Sequence, residues 1–381
     1  MMAEAGVYIH VPFCAGACDY CDFYSIPVTP TDKRLDQYVD QLLKDLEASL
    51  IAEGISRVPT VYIGGGTPSA LGAARLDRLL EGVGDLLPEA PGVREFTLEA
   101  NPESVDEALL RVCRRVTRLS LGVQSFHEPS RRAVHRVGEG SLLPERLKMA
   151  ADIFGDALSL DLMTGLPFQS ETILLKDIEK ALSYKPGHVS LYALTLEEGT
   201  PLAAGTHTLP EPEEADRLWI AGRDALETAG LTQYEVSNFS RPGKQSAHNI
   251  RYWRMENWLG LGPGGSGTLI NDETGTGRRL TVKADLDAWL SCNTGDQEEY
   301  LDQPTLIQES LLMGFRYLKG PDRRLFEKRF HRPPESLIPQ TLHRWEARGL
   351  LQKEPLALTK EGLLFLNTFL AEAFRELEGT N

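Results

Sequence analysis

VYIHVPFCAGACDYC, residues 7–21, opens on a β-rich apolar run and closes on three cysteines. Residues 7–13 carry the β-branched and aromatic content of a strand. Cys14, Cys18 and Cys21 then follow in a C-x3-C-x2-C spacing. Three thiolates gathered this closely need a positive centre to hold them. A single zinc would want a fourth ligand, and His10 lies nearby within the strand. A 4Fe–4S cubane is normally held by four cysteines, so three leave one iron with an open position where chemistry can occur. The spacing by itself leaves zinc and cluster both open. Cys113 falls on the apolar side of a predicted helix and reads as core, and Cys292 reads as an ordinary thiol.

Outward from this stretch, β-rich runs recur at 60–63, 95–98, 118–123, 157–163 and 188–194. Between them lie helical periods. Leu35, Tyr38, Val39, Leu42, Leu43, Leu46 and Leu50 share one helix face, and Leu76, Leu79, Leu80, Val83, Leu86 and Leu87 repeat the pattern. Ser104 with Glu107 reads as a capping box, and 171–182 as a further helix. Repeated strand–helix units imply parallel strands and right-handed crossovers. The fold class is therefore α/β, as a partial (β/α)6 TIM-like barrel or an open doubly wound sheet. Either fold gathers its functional residues at the strand C-termini.

Candidate site residues fall at those ends. Gly64-Gly65-Gly66-Thr67-Pro68 follows the second strand, where glycines let a ligand approach the backbone. It lacks the Gly-Lys-Ser/Thr ending of a P-loop. Glu99 ends the third strand in TLEANP, Gln124 the fourth in LGVQSF, and Asp161 lies late in the fifth in DLMTGLP. Arg136 follows the fourth strand in HRVGEG.

The rhythm changes after residue 205. The expected units are 1–205 as the barrel, 206–300 as a barrel-closing extension, and 301–381 as a smaller α-rich unit. In the extension, 211–229 reads as a helix and 234–267 as structured loop with short strands. In the last unit, helices at 304–318, 339–348 and 360–374 surround a small hairpin at 350–359, an order resembling a winged helix. Its near-neutral charge supports a packing module better than a DNA reader.

Forty basic against 55 acidic residues give a formal charge of −15, which disfavours wholesale nucleic-acid binding. Five cysteines in 381 residues do not make a disulfide scaffold. No signal peptide and no long apolar run is visible, so the expected location is the cytoplasm.

Together YIHVPFC, GGGTP, LEANP, SLGVQSF and DLMTGLP resemble the radical S-adenosylmethionine (radical SAM) family. The resemblance covers nearly the whole chain. It is to the branch containing the oxygen-independent coproporphyrinogen III dehydrogenase and the HemW family of haem chaperones. It implies that Cys14, Cys18 and Cys21 hold a 4Fe–4S cluster. It also implies that Tyr8, Gly65, Gly66, Thr67, Glu99, Gln124, Arg136 and Asp161 contact S-adenosylmethionine, with Tyr20 near its adenine. The dehydrogenase has a further cysteine two positions after the third ligand, where this sequence has Phe23.

His248-Asn249-Ile250-Arg251-Tyr252-Trp253 resembles the HNxxYW motif of the haem chaperones. His is a common axial haem ligand, and neighbouring rings can stack on a porphyrin. A structural His in an aromatic-rich loop would read the same way. With the resemblance, His248 is the candidate haem contact. The function implied is a haem chaperone that binds the cluster, S-adenosylmethionine and haem. It would deliver haem to respiratory haemoproteins, with at most peripheral membrane contact and a homodimer as its self-association. The alternative is the dehydrogenase, a radical oxidative decarboxylase of porphyrin biosynthesis.

Overall fold

Six parallel strands stand side by side in chain order: β1 (Gly6–Val11), β2 (Thr60–Gly65), β3 (Glu95–Ala100), β4 (Arg118–Gln124), β5 (Leu158–Thr164) and β6 (His188–Ala193). The structure, a computed structural model, describes residues 3–88, 92–205, 207–293 and 295–379. Helices α1 (Arg34–Ala52), α2 (Ala73–Leu86), α3 (Glu107–Cys113), α4 (Leu143–Phe154) and α5 (Glu171–Leu182) return the chain between strands. Helix α6 (Pro212–Thr228) follows β6 and packs on α5.

The alternation of a strand sets which side chains meet which layer. Along β1, Val7, Ile9 and Val11 are fully buried in the core that also takes Leu35, Tyr38, Val39, Leu42 and Leu46 of α1. Burying one such side chain stabilises the fold by roughly 1.5–3 kcal/mol. Tyr8 and His10 take the opposite face, inside the curve of the sheet. Leu76, Leu79, Leu80 and Val83 of α2 add to the same core.

The sheet runs past these six strands in both directions. Strand β7 (Asn238–Ser240) joins β6 antiparallel. At the other end β8 (Trp258–Leu261) joins β1 in parallel, and β9 (Ser266–Asn271), β10 (Thr276–Thr281) and β11 (Gln297–Leu301) continue as a meander. The outermost strands, Thr232–Gln233 and β11, do not pair with each other, so the barrel stays open. This is the expected α/β fold with a partial barrel.

The segment from 234 to 267 holds a helix that periodicity did not suggest, α7 (Ala247–Trp253), capped by the Ser246 side chain accepting from the Asn249 N–H. After β11 come α8 (Gln303–Gly314), α9 (Arg323–Phe330), α10 (Pro339–Ala347), a hairpin of β12 (Leu351–Lys353) and β13 (Leu356–Leu358), then α11 (Lys360–Leu363) and α12 (Leu366–Glu378). This unit has its own apolar core around Phe315, Trp345 and Phe369, which Met255, Ile270 and Leu301 also join. Arg329 pairs with Asp272 at 2.6 Å, and Arg254 pairs with Asp322, tying the unit to the strand extension. Residue 206, where the expected extension begins, lies outside the described residues.

Two local expectations are corrected. Asp106, not Ser104, caps α3: its carboxylate accepts the Leu109 N–H at 2.7 Å. A short 3-10 turn, Pro102–Ser104, rotates the Ser104 hydroxyl back to Ser69 and to the Asn101 carbonyl, each at 2.6 Å. The expected final helix is broken between Leu363 and Leu366, where the Leu364 and Phe365 N–H groups bond only three residues back, to the Glu361 and Gly362 carbonyls.

Candidate functional site

The C-terminal ends of the parallel strands open into one pocket of about 340 Å³. Cys14, Cys18 and Cys21 line one wall. Gly65, Gly66, Thr67, Glu99, Gln124, Arg136 and Asp161 line the rest, with Tyr20 beside the cysteines. Eleven of the residues singled out in the sequence therefore meet in a single cavity.

Backbone bonds fix the cysteine loop against the glycine turn. The Gly66 N–H donates to the Val11 carbonyl at 2.9 Å, and the Thr67 N–H to the Phe13 carbonyl at 2.6 Å. Phe13–Cys14 pairs with Ile26–Pro27, so the loop is closed at its base. Gly65 has φ +105°, and a Cβ there would come within 2.6 Å of the His10 ring. A side chain at Gly64 would come within 2.7 Å of the Glu99 carboxylate. The turn is glycine because backbone and acid must meet closely.

Glu99 is the most perturbed acid facing the pocket. Its Oε1 accepts the Tyr62 hydroxyl at 2.5 Å, and its Oε2 accepts the Gly65 N–H at 3.3 Å. Burial pushes its carboxyl up to about 7; the Tyr62 bond pulls the other way, and Asp161 adds to the rise. Asp161 accepts from the Ser120 hydroxyl at 3.2 Å, and burial raises its carboxyl too. Gln124 has φ +67° where the β4–β5 register slips, an uncommon conformation for a non-glycine residue and one that tends to mark functional sites.

Arg136 crosses the pocket wall. Nη2 donates to Asn101 Oδ1 at 2.6 Å and to the Gly122 carbonyl, and Nη1 reaches the Cys18 sulfur at 3.6 Å. Burial opposes its charge, but Tyr20, Glu103 and Cys18 outweigh burial and hold the guanidinium cationic. Its Nε is buried without a partner among the described residues.

Two expected contacts are not brought to the pocket wall. Tyr8 sits behind it, with its hydroxyl 3.0 Å from His10 Nδ1. His248 is wholly buried: Nδ1 is 2.9 Å from the Thr60 hydroxyl and Nε2 2.8 Å from the Tyr252 hydroxyl. With both ring nitrogens engaged inside the protein, neither is presented to a haem iron. Burial pushes its imidazole down to about 3, so it is neutral. The structure thus places His248, the expected haem contact, in the packed interior and away from the pocket wall. Asn101, Ser120, Gly122, Met163 and Tyr192 line the pocket without having been singled out. For the first four, spacing of two or four residues from Glu99, Gln124 or Asp161 was the available signal; Tyr192, on β6, had none.

Among the described residues no three His, Cys, Asp or Glu side chains converge on one ion. A zinc would need its sulfurs about 2.3 Å from a single point. Here three thiols face one shared cavity with no fourth protein ligand among them, a donor set that fits a cluster with one exposed iron. Cys113 is fully buried in the barrel core, its thiol pushed up to about 12, and stands apart from the set.

Fold and pocket define a radical SAM core, and residues 8–181 match the Radical SAM superfamily model. The chain is 31% identical to the haem chaperone HemW of Bacillus subtilis, covering 97% of this chain and 99% of that protein. It is 32% identical to HemW of Escherichia coli, covering 96% of each. It is 34% identical to the mouse mitochondrial radical S-adenosyl methionine domain-containing protein 1, covering 96% of this chain and 82% of that protein. The solved structure of the Escherichia coli coproporphyrinogen III oxidase HemN, a radical SAM enzyme, superposes with a TM-score of 0.80 over 98% of this chain and 90% of that one, at 20% identity, which speaks to the fold. The chain belongs to the HemW family of radical SAM proteins. That family implies a 4Fe–4S cluster and S-adenosylmethionine.

Proposed function

We propose that this protein is a haem chaperone that carries a 4Fe–4S cluster on Cys14, Cys18 and Cys21 and binds S-adenosylmethionine beside it. The observation that carries the reading is the convergence of the three thiols, the glycine turn and Glu99 on one pocket. The three thiols would hold the cluster there, and it would supply the open coordination position at which the cofactor binds. Glu99 as a carboxylate holds the cationic part of the ligand, Arg136 keeps its charge near Cys18, and Tyr20 packs at the rim.

The haem reading rests on the full-length likeness to haem chaperones and on the pocket's mouth. Phe23 and Tyr192 both line the pocket and are 62% and 42% exposed. Aromatic rings left in solvent on the pocket wall suit a flat apolar ligand. Haem held at this rim is the cargo, passed to respiratory haemoproteins. The exposed edge would also serve peripheral contact with a membrane or a second copy. Among the described residues no helix is long and apolar enough to cross a membrane.

The test is a pair of assays on anaerobically prepared, cluster-loaded protein. Haem titration should give saturable one-to-one binding, weakened by Phe23→Ser. Incubation with coproporphyrinogen III, reductant and S-adenosylmethionine should leave the substrate unchanged. Turnover to protoporphyrinogen IX without haem binding would overturn the chaperone reading in favour of the dehydrogenase.

A further inference from the structure

His248 and Arg251 of the HNxxYW stretch are buried behind the pocket, and the other four residues are half-buried. The His248 and Ala247 N–H groups donate to the two Glu95 carboxylate oxygens at 3.0 and 2.8 Å, which fastens the start of α7 to the base of β3. The His248 ring is bonded to Thr60 of β2 on one side and to Tyr252 on the other. It also lies against the Tyr62 ring, with centroids 5.3 Å apart and planes tilted by 32°. Thr60 and Tyr62 are two residues apart on β2 and so face the same way, as do Glu95 and Glu99 on β3. Tyr62 then donates to Glu99 at the pocket floor.

We infer that His248 and Tyr252 are positioning residues for Glu99, acting through the Tyr62 ring and hydroxyl. The motif thus sets the geometry of the carboxylate that receives the cofactor's cation. The inference rests on the proposed cofactor pocket. Buried, fully bonded side chains are how a protein holds a binding group within the tolerance that affinity requires. Without His248, the Tyr62 ring gains a cavity beneath it and its hydroxyl no longer stays on Glu99.

The test measures S-adenosylmethionine affinity by equilibrium dialysis on cluster-loaded full-length protein, with iron and sulfide content checked for each variant. His248→Ala and Tyr62→Phe should each weaken binding by about tenfold, the equivalent of one buried hydrogen bond. The double variant should be no weaker than Tyr62→Phe alone, because both changes act on one path. His248→Gln, which keeps one donor and one acceptor, should recover part of the affinity. Tyr252→Phe removes a single hydroxyl and serves where His248→Ala fails to fold.

Losing the Tyr62 bond should also move the pH midpoint of binding upward. The other groups facing Glu99 are the Gly65 N–H, Asp161, Tyr8, Tyr192 and Tyr252, and of these only Tyr252 is changed, in Tyr252→Phe alone. Wild-type affinity in both His248→Ala and Tyr252→Phe overturns the inference. So does a double variant whose loss is the product of the single losses, or loss of haem binding with cofactor affinity intact. Absence of cofactor binding by the wild-type protein instead overturns the pocket assignment itself.

Discussion

Cys14 and Cys18 are joined by a hydrogen-bonded path through three other side chains. The Cys14 sulfur is 3.3 Å from the Thr67 hydroxyl, which receives Asn101 Nδ2 at 3.1 Å. Asn101 Oδ1 accepts Arg136 Nη2 at 2.6 Å, and Arg136 Nη1 reaches the Cys18 sulfur at 3.6 Å. The path links the cysteine loop, the glycine turn, the end of β3 and the loop after β4. It makes the position of the sulfurs a property of the barrel rather than of a short loop.

Asn101→Ala cuts this path at its centre. Thr67 loses a donor and Arg136 an acceptor inside the pocket wall, which should cost about 1–3 kcal/mol of stability, read by thermal unfolding. The Arg136 contact to Cys18 should loosen as well. Hydrogen bonds to ligand sulfur influence cluster potential, so voltammetry of the loaded variant should give a more negative potential than wild type.

Gly64→Ala should separate cofactor binding from cluster binding. The new methyl would sit 2.7 Å from Glu99 Oε2 and 2.9 Å from the Tyr62 ring, so the carboxylate must move. Overpacking of this kind costs about 1–3 kcal/mol. Iron content should stay at the wild-type value while S-adenosylmethionine affinity falls at least about tenfold in equilibrium dialysis, the equivalent of about 1.4 kcal/mol.

Cofactor affinity should depend on pH through Glu99, whose carboxyl stands at about 7 in the free protein. A cationic ligand stabilises the carboxylate, so the group's pKa is lower in the complex. Binding is then full above about pH 7 and falls as pH drops, approaching about tenfold per unit below the free-state value. Glu99→Gln should bind weakly and with no such slope in the same titration.

Trp345→Ala tests the C-terminal core without touching the site. Trp345 is buried, with an edge contact to Phe369 at 5.1 Å, and Phe369 meets Phe315 at 4.5 Å. The loss should be about 3–5 kcal/mol in denaturant unfolding, since a large cavity is left among rings that cannot close over it. Cluster content of protein that remains folded should be unchanged.

The six strands were legible because each is a β-rich run, followed in all but β4 by a helical period, and the pocket because chemistry-bearing residues cluster at the strand ends; α4, after β4, was not read from the sequence. Glu99, Gln124 and Asp161 could be picked out by type and place. Tyr62 and Asn101 could not, because their roles depend on which side chains lie beside them on adjacent strands. Tyr62 stands opposite Thr97 in the register, which brings its hydroxyl to Glu99 two residues further on. The surroundings of His248 could not be read for a similar reason. A histidine among aromatic residues reads alike as a ligand or a packed ring until its two nitrogens are traced to Thr60 and Tyr252.

The most direct measurement is iron and acid-labile sulfide per chain in anaerobically reconstituted protein, with electron paramagnetic resonance of the reduced form before and after adding S-adenosylmethionine. About four irons and four sulfides per chain are expected. The signal should change on adding the nucleoside, and Cys14→Ser, Cys18→Ser and Cys21→Ser should each lose the iron. Stoichiometric zinc without sulfide, or full iron retained by all three serine variants, would contradict the account.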